Sequence, residues 1–242
     1  MKNLFLFLFL LVVFTSKAQD NRVSGLNSRQ FTKYWKVESE SPDYKVTFQG
    51  DTAEIVSPKG LTLWRKEKMS GKVTIEYDAC VVVESDGDRL SDLNCFWMAS
   101  DPQYPDNLWK REKWRSGIFL NCYSLQLYYL GYGGNHNSTT RFRRYDGDES
   151  GITTPKARPA ILKEYTDAGH LLKPNHWYHI KITNENNRVS YYIDGERLVD
   201  FRDAEPLREG WFGFRTTLSR TRITNFSYEC SSQEATAVLL QW

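Results

Sequence analysis

The sequence predicts an all-β protein, a sandwich of two antiparallel sheets. Three observations predict it. From Tyr44 onward apolar residues recur with a period of two. The clearest case is Val73, Ile75, Tyr77, Ala79, Val81 and Val83, set against Lys72, Thr74, Glu76 and Asp78. The strand-like runs are short, aromatic and β-branched, and Gly, Asn, Asp or Pro bounds them. No segment of a dozen residues carries a helical stripe.

The elements follow in chain order. Residues 1–18 read as a signal peptide: Lys2 is the positive start, 4–14 the apolar run, and Ser16 and Ala18 the small residues before a cut at Gln19. The run is shorter than the ~20 residues a spanning helix needs, so no membrane span is expected. The other reading of this segment is an anchor that stays in place. Residues 19–242 are expected to form one domain, exported to the periplasm or the outside. Residues 20–43 are polar and read as a leader strand plus loop. Strands are expected at 61–64, 72–83, 93–98, 118–123, 125–130, 141–145, 177–182, 189–193, 212–216 and 223–228. Asn186-Asn187 and Asp194-Gly195 are hairpin turns. The stretch 146–174, with three prolines, is a long loop. The final AVLLQW is either an edge strand for a partner or simple packing on the sandwich.

Composition excludes some function classes. Lysine plus arginine total 32 against 30 acidic residues. Removing residues 1–18, with Lys2 and Lys17 and no acid, leaves 30 of each sign. Such neutrality argues against nucleic acid as a partner. A chain 40% hydrophobic and 14% aromatic is not disordered. Cys80, Cys95, Cys122 and Cys230 lack CxxC spacing, which argues against zinc. For an exported protein, buried thiols and disulfides stay equally open.

The segment HWYHIKITNENNRVSYYIDGERLVDFRD, followed by GWFGFRTTLSRTRITNFSYE, resembles the closing strands of the concanavalin A-like jelly-roll superfamily. The resemblance spans roughly residues 30–230. It implies a concanavalin A-like jelly roll and a carbohydrate ligand on the concave face of one sheet, and it does not select a reaction. The runs SDLNCFWMASDP, YYLGYGGNHNSTTRFRRY and GFRTT are similar to exported bacterial YesU-like proteins of glycan-degradation loci, which implies an acidic glycan as ligand. A structural calcium ion is common in jelly rolls, and the acidic loop 84–88 offers oxygen ligands for one; no other cofactor is expected.

The candidate site centres on GYGGNHNSTTRFRRY, residues 131–145. Strand alternation places Arg141, Arg143 and Tyr145 on one face if Phe142 faces the core. Those arginines are either a solvated, ion-paired face or a fork for a carboxylate ligand. Between residues 105 and 145 seven basic residues face only Asp106 and Glu112, amid many aromatic rings. In an exported protein that local excess points to an acidic oligo- or polysaccharide. The same alternation puts Gln126 and Tyr128 opposite Leu125, Leu127 and Tyr129. It leaves Phe119, Asn121 and Tyr123 opposite Ile118, Leu120 and Cys122, and Trp211 and Arg215 opposite Phe212 and Phe214. In the 93–98 strand the parity is open: either Asn94 or Trp97 reaches the groove.

Carboxylate pairs of the glycosidase type are scarce, with Asp92 and Glu76 the best isolated candidates. β-Elimination from a uronate needs a neutralised carboxylate, a base and an acid. The expected catalytic set is therefore His136, Arg143, Tyr128 and Tyr145. The expected substrate-binding set is Asn94, Trp97, Asn121, Gln126, Tyr132, Asn135, Asn137, Arg141 and Arg215. Jelly-roll lyases use such residue types, although the alginate-lyase signatures are absent. For His136, a plain turn residue is as open as a base. The leading expectation is a polysaccharide lyase; the alternatives are a non-catalytic carbohydrate-binding protein or a glycoside hydrolase of the same fold.

Overall fold

The computed structural model describes residues 23–231. The expected signal peptide and the C-terminal AVLLQW lie outside them. The described residues form a 14-stranded antiparallel sheet that folds back on itself into two layers. In chain order the strands are β1 Val23–Ser24, β2 Trp35–Ser39, β3 Lys45–Gln49, β4 Thr52–Arg65, β5 Met69–Ser70, β6 Lys72–Val81 and β7 Leu93–Ser100. Then come β8 Gln126–Gly133, β9 Thr139–Asp146, β10 Lys163–Tyr165, β11 Tyr178–Glu185, β12 Arg188–Ile193, β13 Glu196–Arg202 and β14 Glu209–Ser231.

Two long strands belong to both layers. The first arm of β14 pairs with β7, from Trp211↔Ala99 to Arg215↔Asn94. Its second arm pairs with β6, from Thr221↔Val81 to Ser231↔Lys72. Between the arms Leu218 takes a φ of 51°, and the register with β4 shifts between Thr217 and Ser219. The expected strands 212–216 and 223–228 are therefore two arms of one bent strand. β4 bends likewise, pairing with β3 near its start and with β2 near its end. One layer runs β2, β4, β14, β7, β8, β9, β10, and the other runs β3, β4, β14, β6, β11, β12, β13.

The alternation of β6 buries Val73, Ile75, Tyr77 and Ala79. The hairpins form as expected, with Asp194 and Gly195 both at positive φ, 50° and 84°. Rings from opposite layers meet between the sheets. Trp97 of β7 lies 6.1 Å from Tyr191 of β12, and Phe142 of β9 lies 5.5 Å from Phe201 of β13. Trp97, Tyr191 and Phe142 are fully buried, and each such ring contributes roughly 1.5–3 kcal/mol.

The expectations for residues 118–123, for the leader and for the 146–174 loop are corrected. Residues 118–123 do not form a strand. Ser116 and Gly117 adopt positive φ of 46° and 69°, and Leu120–Ser124 continues as a 3-10 helix, with Cys122 N–H donating to Phe119 O at 3.1 Å. The leader contains a helical turn, Phe31–Tyr34, besides strands β1 and β2. The 146–174 loop carries a short strand, β10, that extends the sheet beside β9. All four cysteines are free thiols, and burial pushes Cys95 and Cys122 up to about 12. In the loop proposed for calcium, Glu84 pairs with Arg220 at 2.8 Å and Arg222 at 3.1 Å, and Asp88 accepts the Glu84 N–H at 2.8 Å.

Candidate functional site

The strands β7, β8, β9 and the first arm of β14 share a face that points away from the inter-sheet core. Residues 101–125 fold over half of it. Leu108, Cys122 and Tyr123 of this cap bury against Trp64, Phe96, Leu127, Tyr145 and Trp211. The cap has no regular period because charges hold it. Asp101, fully buried, accepts a two-pronged pair from Arg111 at 2.7 and 2.9 Å. Arg115, also fully buried, donates to Glu38 at 3.3 and 2.9 Å and to the Leu108 carbonyl at 2.7 Å. Burial pushes the Glu38 carboxyl above its usual range, although Arg115 opposes the shift. Gly117 turns the cap so closely past β2 that a Cβ would lie 2.7 Å from the Ser39 Cα, so a side chain has no room.

Beyond the cap the same face opens into a groove of about 280 Å³. β7 contributes Asn94, β8 Tyr129, β9 Arg141 and Arg143, and β14 Arg215. The rim adds Glu40, Asp92 and Asn135, and the cap edge adds Phe119 and Tyr123. Asp92, at a φ of 65°, accepts from Ser91 at 2.9 Å, Arg89 at 2.8 Å and the Asn94 amide at 3.2 Å. The Asn94 carbonyl oxygen is buried without a partner. Arg141 pairs with Glu164 at 2.5 Å, and Arg143 donates to the Pro159 carbonyl. Burial raises the Tyr129 phenol, with the Asp92 charge adding to it, and burial likewise raises Tyr123 against the pull of Arg143. Both phenols are neutral donors near neutral pH rather than bases.

The structure brings together Asn94, Asn135, Arg141, Arg143 and Arg215 of the expected set. It separates the others. Tyr128 points into the inter-sheet core and donates to Asp203 at 2.6 Å; its neighbour Tyr129 faces the groove. The parity of β8 is the inverse of the expected one, because Leu125 and Leu127 form an apolar face that the cap, not the inter-sheet core, buries. Gln126 stands half-buried outside the groove. Tyr145 shares the face of Arg143 but lies under the cap beside Tyr123, at 5.2 Å, its hydroxyl buried without a partner. Trp97 and Tyr132 belong to the inter-sheet core, so the open parity of β7 resolves in favour of Asn94. Asn121 donates to the Trp114 carbonyl at 3.0 Å. Asn137 clamps the Leu172 backbone at 2.9 and 2.8 Å. His136 is exposed in a left-handed turn and does not line the groove. Nothing local in the sequence marks Glu40, and the apolar pair Leu125 and Leu127 hides Tyr129.

Comparison with known proteins bears on fold and kinship. Residues 55–226 match the family described as a domain of unknown function, DUF6250. The chain belongs to the DUF6250 family. No curated protein matches it. A Bacillus subtilis protein of unknown function with a galectin-like fold superposes on this DUF6250 member with a TM-score of 0.67 at 16% identity, over 86% of this chain and 94% of its own. The carbohydrate-binding module CBM66 from Bacillus subtilis gives 0.54 at 16% identity, over 81% and 94%. The exoplasmic/lumenal domain of VIP36, in a Ca2+/Man2-bound form, gives 0.58 at 10% identity, over 88% and 87%. At such identities these likenesses show the fold, an all-β jelly roll of the concanavalin A-like kind. Among the described residues no helix is long and apolar enough to cross a membrane, and no group of three or more His, Cys, Asp or Glu could hold a metal.

Proposed function

We propose that this protein binds carbohydrate without cleaving it, and that its groove takes an oligosaccharide containing an acidic sugar. The observation that carries the reading is the convergence of Arg141, Arg143 and Arg215 with Tyr129, Tyr123 and Phe119 in one groove. Rings offer flat apolar faces to sugar rings, and guanidinium groups offer forked donors to carboxylates. The fold neighbours support a saccharide ligand, since one is a carbohydrate-binding module and another was captured with a mannoside. They also fit an exported protein, as the reading of residues 1–18 as a signal peptide requires.

A lyase needs its base beside the bound uronate. His136 lies outside the groove, and Tyr128 and Tyr145 are buried elsewhere, so the expected catalytic set does not meet. A hydrolase pair of Asp92 and Glu76 fares no better. Asp92 is held by Arg89, and Glu76 pairs with Lys181 at 3.1 Å in the other layer. Calorimetric titration of residues 19–242 with trigalacturonate, an alginate trimer and mannotriose tests the reading. Binding of an acidic trimer, with no ultraviolet absorbance from an unsaturated uronate, is expected. Turnover of any of them, or binding of none, would overturn it.

A further inference from the structure

Three arginines are buried among the described residues: Arg65, Arg115 and Arg215. Two of them carry a carboxylate at hydrogen-bond distance. Arg65 donates to Glu67 at 2.9 Å, and Arg115 donates to Glu38 at 2.9 Å. Arg215 is different. It is 3% exposed, and it donates to neutral acceptors, the Gly117 carbonyl at 2.5 Å and the Thr62 hydroxyl at 3.4 Å. Its ion-pair partner, Glu40, stands 4.0 Å from Nη2. Glu38 also feels Arg215 but is already engaged by Arg115. Neutral acceptors satisfy the N–H groups of a buried guanidinium without balancing its charge.

The space around this uneven pair is built by a glycine. A Cβ on Gly60 would lie 2.1 Å from Glu40 Oε1, 2.4 Å from Arg215 Nη2 and 2.5 Å from the Gly117 carbonyl. Acid, guanidinium and cap therefore converge over a stretch of β4 that has no side chain. The acid is the adjustable member, because the Glu40 side chain is 30% exposed and that of Arg215 only 2%. A carboxylate entering the groove meets a fixed, under-compensated cation and a movable, loosely held rival.

Resting on the carbohydrate-binding reading, we infer that Arg215 is the carboxylate-recognising group of the groove and that Glu40 is its internal competitor. The ligand carboxylate displaces Glu40 from Arg215. The competitor lowers the affinity for any ligand carboxylate that has to displace it, and leaves neutral sugars unaffected. The two roles make opposite predictions for two substitutions in one site.

Trigalacturonate and mannotriose are titrated into the wild type, Glu40→Gln and Arg215→Met. Glu40→Gln is expected to bind trigalacturonate about tenfold more tightly, since one repelling and competing charge is removed. Its affinity for mannotriose is expected to stay within about twofold of wild type. Arg215→Met is expected to bind trigalacturonate at least about tenfold more weakly. It should fold, because replacing an unbalanced buried charge by an apolar chain of similar volume is commonly neutral or stabilising. Unchanged or weaker trigalacturonate binding by Glu40→Gln would overturn the inference and leave carbohydrate binding standing. Wild-type binding of mannotriose alone would overturn it together with the acidic-sugar reading. Binding of neither trimer would remove the carbohydrate reading itself, and this inference with it.

Discussion

The four strands that make the groove also make the floor beneath the cap, and the two halves of that face differ at every strand. Along β7, Phe96 lies under the cap and Asn94 in the groove. Along β8, Leu127 is covered and Gly131 is open; along β9, Tyr145 is covered and Arg143 is open; along β14, Trp211 is covered and Arg215 is open. Each change takes place within two or four residues on one face. Side-chain alternation decides which face a residue occupies, but it does not decide which half. The cap decides that, so covered positions are expected to serve stability and open ones binding.

Removing the charge that pins the cap should have the largest effect. Arg115→Met leaves Glu38 buried and unpaired, which costs about 3–5 kcal/mol. Urea unfolding is expected to show this loss, and glycan binding should fail as well because Gly117, Phe119 and Tyr123 move with the cap. The double variant Arg115→Met, Glu38→Met should recover much of the stability. A single variant that kept full stability would mean that the cap is not held as its ion pairs imply.

An open position should behave in the opposite way. Arg143→Ala is expected to weaken trigalacturonate binding about tenfold, or about 1.4 kcal/mol, while the unfolding free energy changes by less than ~1 kcal/mol. A stability loss with wild-type affinity would erase the distinction between the halves. A smaller effect is expected at Tyr145. Its phenol is buried without a partner, and burial raises it well above its usual value. Tyr145→Phe removes an orphaned hydroxyl, so stability should rise by up to ~1 kcal/mol with binding unchanged. Lost binding in that variant would restore Tyr145 to the site.

These contrasts explain what was legible in the sequence. The strands were, because a half-buried strand writes a period of two into the chain. The bend of β14 was not, since the left-handed Leu218 gives no apolar or polar signal of its own. The cap is not legible, because Ile118, Leu120 and Cys122 alternate as a strand would, whereas long-range ion pairs and the turn at Ser116 and Gly117 decide its path. Arg141, Arg143 and Arg215 were found through local charge and parity. The sequence does not distinguish Tyr128 from Tyr129 correctly, because the cap makes both faces of β8 apolar and an apolar face then no longer identifies the core. Glu40 reaches Arg215 across layers of sequence 175 positions apart in number, and no local pattern records such a meeting.

The smallest effect is expected at His136, where binding and elimination chemistry diverge most. The residue occupies a left-handed turn with Asn135 and Asn137, at φ values of 53°, 58° and 58°. Alanine there would add backbone strain and confuse the result, whereas asparagine accepts this conformation readily. His136→Asn therefore removes the imidazole and keeps the turn. Because the side chain is exposed and outside the groove, stability should stay within ~0.5 kcal/mol and trigalacturonate affinity within about twofold. An affinity loss beyond tenfold would draw the turn into the groove. An unsaturated product made by the wild type and lost in His136→Asn would make His136 a base after all, and the open half of the face a catalytic one.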